Sequence, residues 1–190
     1  MVKLSLFIAT GNTHKVEEME KILSTFGIGL QQKNLLIIEP DFDSLEEIAL
    51  EKAKQAFKVL KAPVIGEDTG VYFEAYNNFP GQLAKRVYLG LGFEGLLALI
   101  NAKPNKKAHF KTAVAFFDGK TEKVFSGKLP GTLLDKAVSV EKNRLPYEKM
   151  FVPKGYADAI VNMSLEEKNK ISHRAIATRK FAEWYSKEFL

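Results

Sequence analysis

The sequence contains no cysteine. That excludes disulfides, thiolate nucleophiles and Cys-ligated zinc, and it suits a reducing compartment, so a cytoplasmic location is expected. Histidine is nearly as scarce. His14, His109 and His173 are the only three, and none is spaced with another as a zinc pair. Any metal is therefore expected to be a hard, carboxylate-held ion such as Mg2+. No apolar run is long enough to span a bilayer, and the start lacks the pattern of a secretory signal, so no membrane association is expected. Repeats, low-complexity tracts and linkers are missing too, and the chain reads as one domain, residues 1–190. Gly11 has no second Gly followed by Lys-Ser or Lys-Thr, which excludes a Walker A phosphate loop.

What is present is a full apolar complement, 46% of residues, and a net charge of +5. The excess favours anionic partners in general. The lysines are spread along the chain rather than gathered into one block, which reads as a solvated surface, and no direct nucleic-acid contact is expected.

The order of elements predicts a mixed α/β protein with an antiparallel portion in its second half. Leu4–Ile8 reads as a buried strand, followed by a helix with apolar residues at Val16, Met19, Ile22, Leu23 and Phe26. Leu35–Ile38 reads as a second short strand. Ser44-Leu45-Glu46-Glu47 is a capping box opening a helix to Leu60, and it gives Glu47 a structural role. Pro63–Gly66 reads as a buried strand that ends in Glu67-Asp68-Thr69-Gly70, with Val71–Phe73 extended beyond it. Asn77–Gly81 is turn-rich, and Phe93–Ile100 reads as helix. Ala108–Phe117 and Lys123–Phe125 are rich in β-formers around the hairpin signal Asp118-Gly119. Met150–Val152 reads as a strand. A second capping box, Ser164–Glu167, and a cap at Ser172 start the two last helices, with Ala177, Phe181, Trp184 and Tyr185 on one face. His109 reads as a strand-face residue, and Trp184, Phe116, Phe117 and Phe125 as packing.

Two helix starts break a rule of helix electrostatics. His14 and Lys15 occupy the first turn after Thr10-Gly11-Asn12-Thr13, and His173 and Arg174 follow Ser172. Cations at that end oppose the macrodipole by a few tenths to about 1 kcal/mol. They make sense where an anion lies between them and the dipole, and a Gly-containing strand–turn–helix is a natural phosphate site. Lys168 lies just upstream as a further cation. Between these segments stands Glu67-Asp68. One carboxylate can hold Mg2+ while the other takes a proton from water, and Asp41 and Asp43 are further acids after a strand. Several cations, paired acids and a hard metal describe a cradle for a polyphosphate, most commonly a nucleoside triphosphate.

These segments resemble the inosine triphosphate pyrophosphatase (Ham1-like) family. The resemblance is carried by Thr10-Gly11-Asn12-Thr13-His14-Lys15 with Glu17 or Glu18 after it, Glu67-Asp68-Thr69-Gly70, Phe79-Pro80-Gly81, Phe125-Ser126-Gly127, and Glu167-Lys168-Asn169 with Ser172-His173-Arg174. They occur in the family's order and span nearly the whole chain. The resemblance implies an elongated mixed-sheet α/β fold with two lobes around a central substrate cleft, working as a homodimer. It implies Mg2+-dependent hydrolysis of ITP, dITP and XTP at the α–β phosphate link, giving a monophosphate and pyrophosphate and clearing aberrant bases from the nucleotide pool. Carried over by position, Thr10, Gly11, Asn12, Thr13, His14 and Lys15 bind the triphosphate. Asp68 is the general base and a metal ligand, with Glu67 and Asp41 as further metal candidates, Asp41 across a one-residue gap. Thr69 touches substrate, and Lys52, Lys168, His173 and Arg174 contact phosphate or base. The base pocket departs from the pattern: where the family carries Phe-Gly-Tyr/Trp-Asp-Pro, this chain has Leu145-Pro146-Tyr147-Glu148-Lys149. Leu offers no aromatic face and Pro fixes the backbone, so Tyr147 and Glu148 remain as base-side residues. This leaves two further readings: the same chemistry with altered or relaxed base choice, and a non-catalytic nucleotide- or RNA-binding protein.

Overall fold

The computed structural model describes residues 6–38, 40–139 and 146–190. Its elements alternate as the sequence pattern requires. Strand β1 (Leu6–Ala9) leads into helix α1 (Thr13–Leu23), and β2 (Leu30–Lys33) returns beside β1 in parallel, Leu6 opposite Leu30. Helix α2 (Leu45–Leu60) carries the chain to β3 (Val64–Phe73), parallel to β1 on its other side with Phe7 opposite Val64. Then come the two-residue β4 (Pro80–Gly81), α3 (Ala84–Asn101), β5 (Lys107–Phe117), β6 (Glu122–Leu133), β7 (Phe151–Pro153), α4 (Leu165–Ile171) and α5 (His173–Phe189). The sheet order is β2-β1-β3-β5-β6-β7, with β4 paired antiparallel to β3. The mixed α/β class is therefore as the sequence predicts. Among the described residues no helix is long and apolar enough to cross a membrane.

The chain divides into two compact units. One holds the described residues up to Thr69, Thr112–Gly127 and Asn169–Leu190; the other holds Gly70–Lys111 and the described residues of Lys128–Lys168. In the first unit, strand alternation sorts the core onto two faces. Leu6, Ile8 and Ile65 pack with Met19 and Leu23 of α1 and Ala177, Phe181 and Tyr185 of α5. Phe7, Ala9 and Val64 face the other way, with Ala56, Phe57 and Leu60 of α2. Trp184 packs against Phe116 and Phe125 at ring separations of 5.3 and 5.5 Å, as the packing reading expects. Gly66 is required where α2 crosses β3: a Cβ there would overlap the Ala49 carbonyl oxygen and stand 2.8 Å from the Ala53 nitrogen.

Three expectations change. Leu35–Ile38 forms no strand. Its Leu35 and Ile37 pack inward, while Leu36 and Ile38 are exposed, and the pairing partner of β1 is the more polar Leu30–Lys33. β2 lies at the sheet edge, and of its four residues only Leu30 is buried. The strand from Pro63 does not end at Gly66 but runs on through Glu67-Asp68-Thr69-Gly70 to Phe73. The helix expected over Phe93–Ile100 begins earlier, at Ala84, and kinks at Gly92, whose φ is 62°. Both capping boxes form: Ser44 Oγ accepts from Glu47 N at 3.2 Å, and Ser164 N donates to Glu167 Oε2 at 2.9 Å.

In the second unit, His109 lies on β5 and stacks on Tyr72 with ring centroids 4.8 Å apart, as a strand-face residue. Burial, with Lys128 adding repulsion, pushes its imidazole down to about 4. Tyr147 is buried, donates its hydroxyl to the Ala84 carbonyl at 2.8 Å and meets Phe73 edge to face.

Candidate active site

The cation-first helix starts form as expected, and their caps are built from side chains. Asn12 caps α1, its Oδ1 accepting from the His14 and Lys15 backbone N–H groups at 3.1 and 3.4 Å. Thr10 Oγ1 accepts from Asn12 N at 3.1 Å, which fixes the turn. Gly11, Thr13 and His14 are exposed, and His14 lies 3.5 Å from Glu17. Ser172 caps α5, its hydroxyl oxygen accepting from Ala175 N at 3.1 Å, and neither helix has an acid in its first turn.

The anion between these cations is a carboxylate of the protein itself. Lys15 of α1 and Arg174 of α5 converge on Glu67: the Lys15 ammonium pairs with Oε2, and Arg174 Nε donates to Oε1 at 3.1 Å. Arg174 Nη1 is paired with Glu18 of α1, and Nη2 donates to Thr69 Oγ1 at 3.3 Å. Thr69 in turn donates to Glu67 Oε1 at 2.6 Å. A hydroxyl has one proton to give. The 2.5 Å contact between Thr69 and Thr112 is therefore donated by Thr112. Glu18, Glu67, Thr112 and Arg174 are all buried.

Strand alternation explains the division of labour between the adjacent acids. Glu67 and Thr69 share the face of Ile65, toward α1 and α5. Gly66 and Asp68 share the face of Val64, toward α2, and Asp68 Oδ1 accepts there from Lys52 Nζ at 3.0 Å. The two carboxylates still feel one another, and Lys15 acts on both. Their environments push them apart. Burial raises the Asp68 carboxyl above its ordinary range, against the pull of Lys52 and Lys15. Burial alone would raise Glu67 as well, but Lys15 and Arg174 together outweigh it and hold that carboxyl well below the usual carboxylate range. Such a separated pair is the pattern of groups tuned for different tasks.

Of the remaining candidates, His173 is buried at the first position of α5, and Asp41 is exposed ahead of α2. Among the described residues no three His, Asp or Glu gather closely enough to hold a metal ion, so Asp41 does not join Glu67 and Asp68 in such a group. In the second unit, Lys168 Nζ pairs with Glu148 Oε1 at 2.6 Å, both side chains being 2% exposed. Leu145 lies outside the described residues.

Glu18, Thr112 and Asn169 are the residues of this network to which sequence reasoning gave no role of their own. Asn169 donates to the Glu18 carbonyl at 3.2 Å. Glu18 has a legible signal: it stands one turn before Ile22 on the buried stripe of α1, and a carboxylate in an apolar stripe needs a cation.

Fold and site together define a mixed α/β protein whose sheet carries a buried, cation-neutralised carboxylate pair. The Ham1 family model matches residues 6–184, and the chain belongs to that family. It is 37% identical over 183 residues to a dITP/XTP pyrophosphatase of Methanopyrus kandleri, covering 96% of each chain. It is 34% identical over 181 residues to one of Thermococcus kodakarensis, covering 95% of this chain and 97% of that one. In fold it matches a HAM1 protein from Coxiella burnetii with a TM-score of 0.83 at 22% identity, covering 97% of this chain and 99% of the other.

Proposed function

We propose that this protein is a Mg2+-dependent nucleoside triphosphate pyrophosphohydrolase, acting on ITP, dITP and XTP to give the monophosphate and pyrophosphate. Relatives at 37% and 34% identity carry the name dITP/XTP pyrophosphatase, which supports the substrate class. The observation that carries the chemistry is the buried acid pair on β3, Asp68 held by Lys52 on one face and Glu67 held by Lys15 and Arg174 on the other. Asp68 acts as general base. Lys52 holds one of its oxygens, and the other takes the proton of the attacking water. The exposed turn Thr10–His14 and Lys15 meet the triphosphate, with Lys52, Thr69, His173 and Arg174 supporting the phosphates or base. Tyr147, Glu148 and Lys168 serve the base side.

Mg2+ is commonly held by one or two carboxylates, with water and substrate phosphate completing the coordination, and Asp68, with one oxygen on Lys52, suits that role. Asp68 would hold it from the α2 side of β3, with Asp41 as the outlying candidate, and the ion would neutralise charge developing on the phosphate oxygens, whereas Glu67 faces α1 and α5, where Lys15 and Arg174 already engage its oxygens. The protein works in the cytoplasm as a single-domain homodimer and clears aberrant purines from the nucleotide pool.

A second reading keeps the chemistry and relaxes base choice, because Pro146-Tyr147-Glu148 replaces the family's Gly-Tyr/Trp-Asp. Pyrophosphate release from ITP, XTP, dITP, GTP and dUTP tests both. A preference for ITP over GTP well above tenfold supports the first; one below about tenfold, roughly 1.4 kcal/mol, supports the second. Absence of release from every nucleotide rejects both.

A further inference from the structure

The edge strand β2 carries an exception to the apolar pattern of its inner face. Parallel pairing sets Leu30 beside Leu6 and Gln32 beside Ile8, and residues paired in this way share a face. Leu6, Ile8 and Leu30 belong to the core packed by α1. Gln32 therefore stands, half-buried, where the pattern calls for an apolar residue. Its amide has a partner: Nε2 donates to the Thr10 carbonyl at 2.9 Å. Only the nitrogen end of an amide can satisfy a carbonyl, which fixes the side chain's orientation.

Thr10 opens the turn between β1 and α1, and most backbone donors of that turn are already engaged. Thr10 N donates to the Lys33 carbonyl at 3.2 Å, Asn12 N to Thr10 Oγ1, and His14 N and Lys15 N to Asn12 Oδ1. Among the described residues Gly11 N and Thr13 N have no protein partner, and both residues are exposed. They are the donors left for an anion. The Thr10 carbonyl and the Gly11 N–H belong to one trans peptide, so they point in opposite directions. Glycine at position 11 lets that peptide rotate at little cost, and a rotated peptide would turn its oxygen, in place of the N–H, toward the ligand. A hydrogen bond that holds the carbonyl on Gln32 holds the Gly11 N–H on the opposite side. We infer that Gln32 is a positioning residue: it clamps the Thr10 carbonyl so that the Gly11 N–H stays aimed at the substrate's phosphates, and it touches no substrate itself. This rests on the reading of Thr10–Lys15 as the segment that meets the triphosphate.

The test is amide NMR of the full chain titrated with inorganic triphosphate. In the parent, the Gly11 and Thr13 amide protons are expected to move downfield as they donate to the anion. Gln32→Met keeps the length of the side chain and removes the donor. In that variant the Gly11 shift is expected to be lost while Thr13 keeps its own. Inorganic triphosphate is expected to bind about fivefold more weakly, as the loss of one net hydrogen bond implies. In turnover of ITP, KM is expected to rise by the same factor with kcat within about twofold of the parent, the mark of lost uniform binding. Methionine suits the apolar face, so the urea midpoint is expected to stay at or above the parent's. Unchanged affinity in Gln32→Met, or a fall in kcat at constant KM, overturns the proposal. The parent spectrum is decisive whether or not the variant folds: a Gly11 amide that stays in place while Thr13 moves overturns it. The two readings separate as well. No movement at either amide rejects the phosphate reading of the turn and the role of Gln32 with it, whereas movement at both that persists in Gln32→Met rejects the role of Gln32 alone.

Discussion

Arg174, at the start of α5, donates its Nε to Glu67 on β3 at 3.1 Å, joining residues 107 positions apart in the sequence. Its guanidinium is spread over Glu67, Glu18 and Thr69, so this one side chain joins α5 and α1 to the strand that carries the acids. Truncating it removes a cation from two buried carboxylates, leaving Lys15 as the cation on Glu67. Arg174→Met is expected to lose about 3–5 kcal/mol of stability in urea unfolding. Arg174→Lys is expected to recover only part of this, because an ammonium cannot reproduce the planar fork.

Glu67 ties stability to pH. Its carboxyl is held below the unfolded value of 4.5, so its contribution is fully present above that value and is lost as pH falls below it toward the folded-state value. The parent is therefore expected to lose stability more steeply than Glu67→Gln as pH drops below 4.5. Urea unfolding midpoints of the two proteins across that range check this. A parallel loss would show that Glu67 is not the linked group.

His109 titrates in the opposite direction from a catalytic imidazolium. Burial and Lys128 lower it from 6.5 to about 4, so it is neutral at pH 7. Protonation is disfavoured in the folded state, and the associated stability is present above 6.5 and is lost as pH falls toward 4. The imidazole proton resonances are expected to titrate with a midpoint near 4.

Gly127 sits beneath the start of α5. A Cβ there would overlap the His173 carbonyl oxygen and stand 2.8 Å from the Ala177 nitrogen, both backbone atoms that cannot swing aside. Gly127→Ala is expected to cost about 1–3 kcal/mol, by overpacking. Because the same turn carries His173 and Arg174, pyrophosphate release is expected to fall with it.

Much of this was legible before the structure. The apolar run Leu4–Ile8, the boxes at Ser44 and Ser164, and the two misplaced pairs of helix-start cations all reflect local rules, and they have their counterparts in β1, in the two capped helices and at the starts of α1 and α5. Pairing across the sheet was not legible. Gly66-Glu67-Asp68-Thr69-Gly70 has the composition of a turn, yet it forms the middle of β3, where α2 packs on Gly66 and three cations neutralise the acids. For the same reason the adjacent acids read as one pair, whereas strand alternation gives each its own face and its own lysine. The carboxylate that Lys15 and Arg174 share, Glu67, lies far from both in sequence and is brought to them only by the packing of α1 and α5 on β3.

In the proposed reaction, water activated by Asp68 attacks the α-phosphorus. The most direct test is turnover of ITP with Mg2+ in oxygen-18 water, with the products resolved by phosphorus NMR. This reaction yields one heavy oxygen in the monophosphate, unlabelled pyrophosphate, and a rate lowered by about a hundredfold or more in Asp68→Asn. Label in pyrophosphate, release of orthophosphate, or a near-parent rate in Asp68→Asn would contradict it.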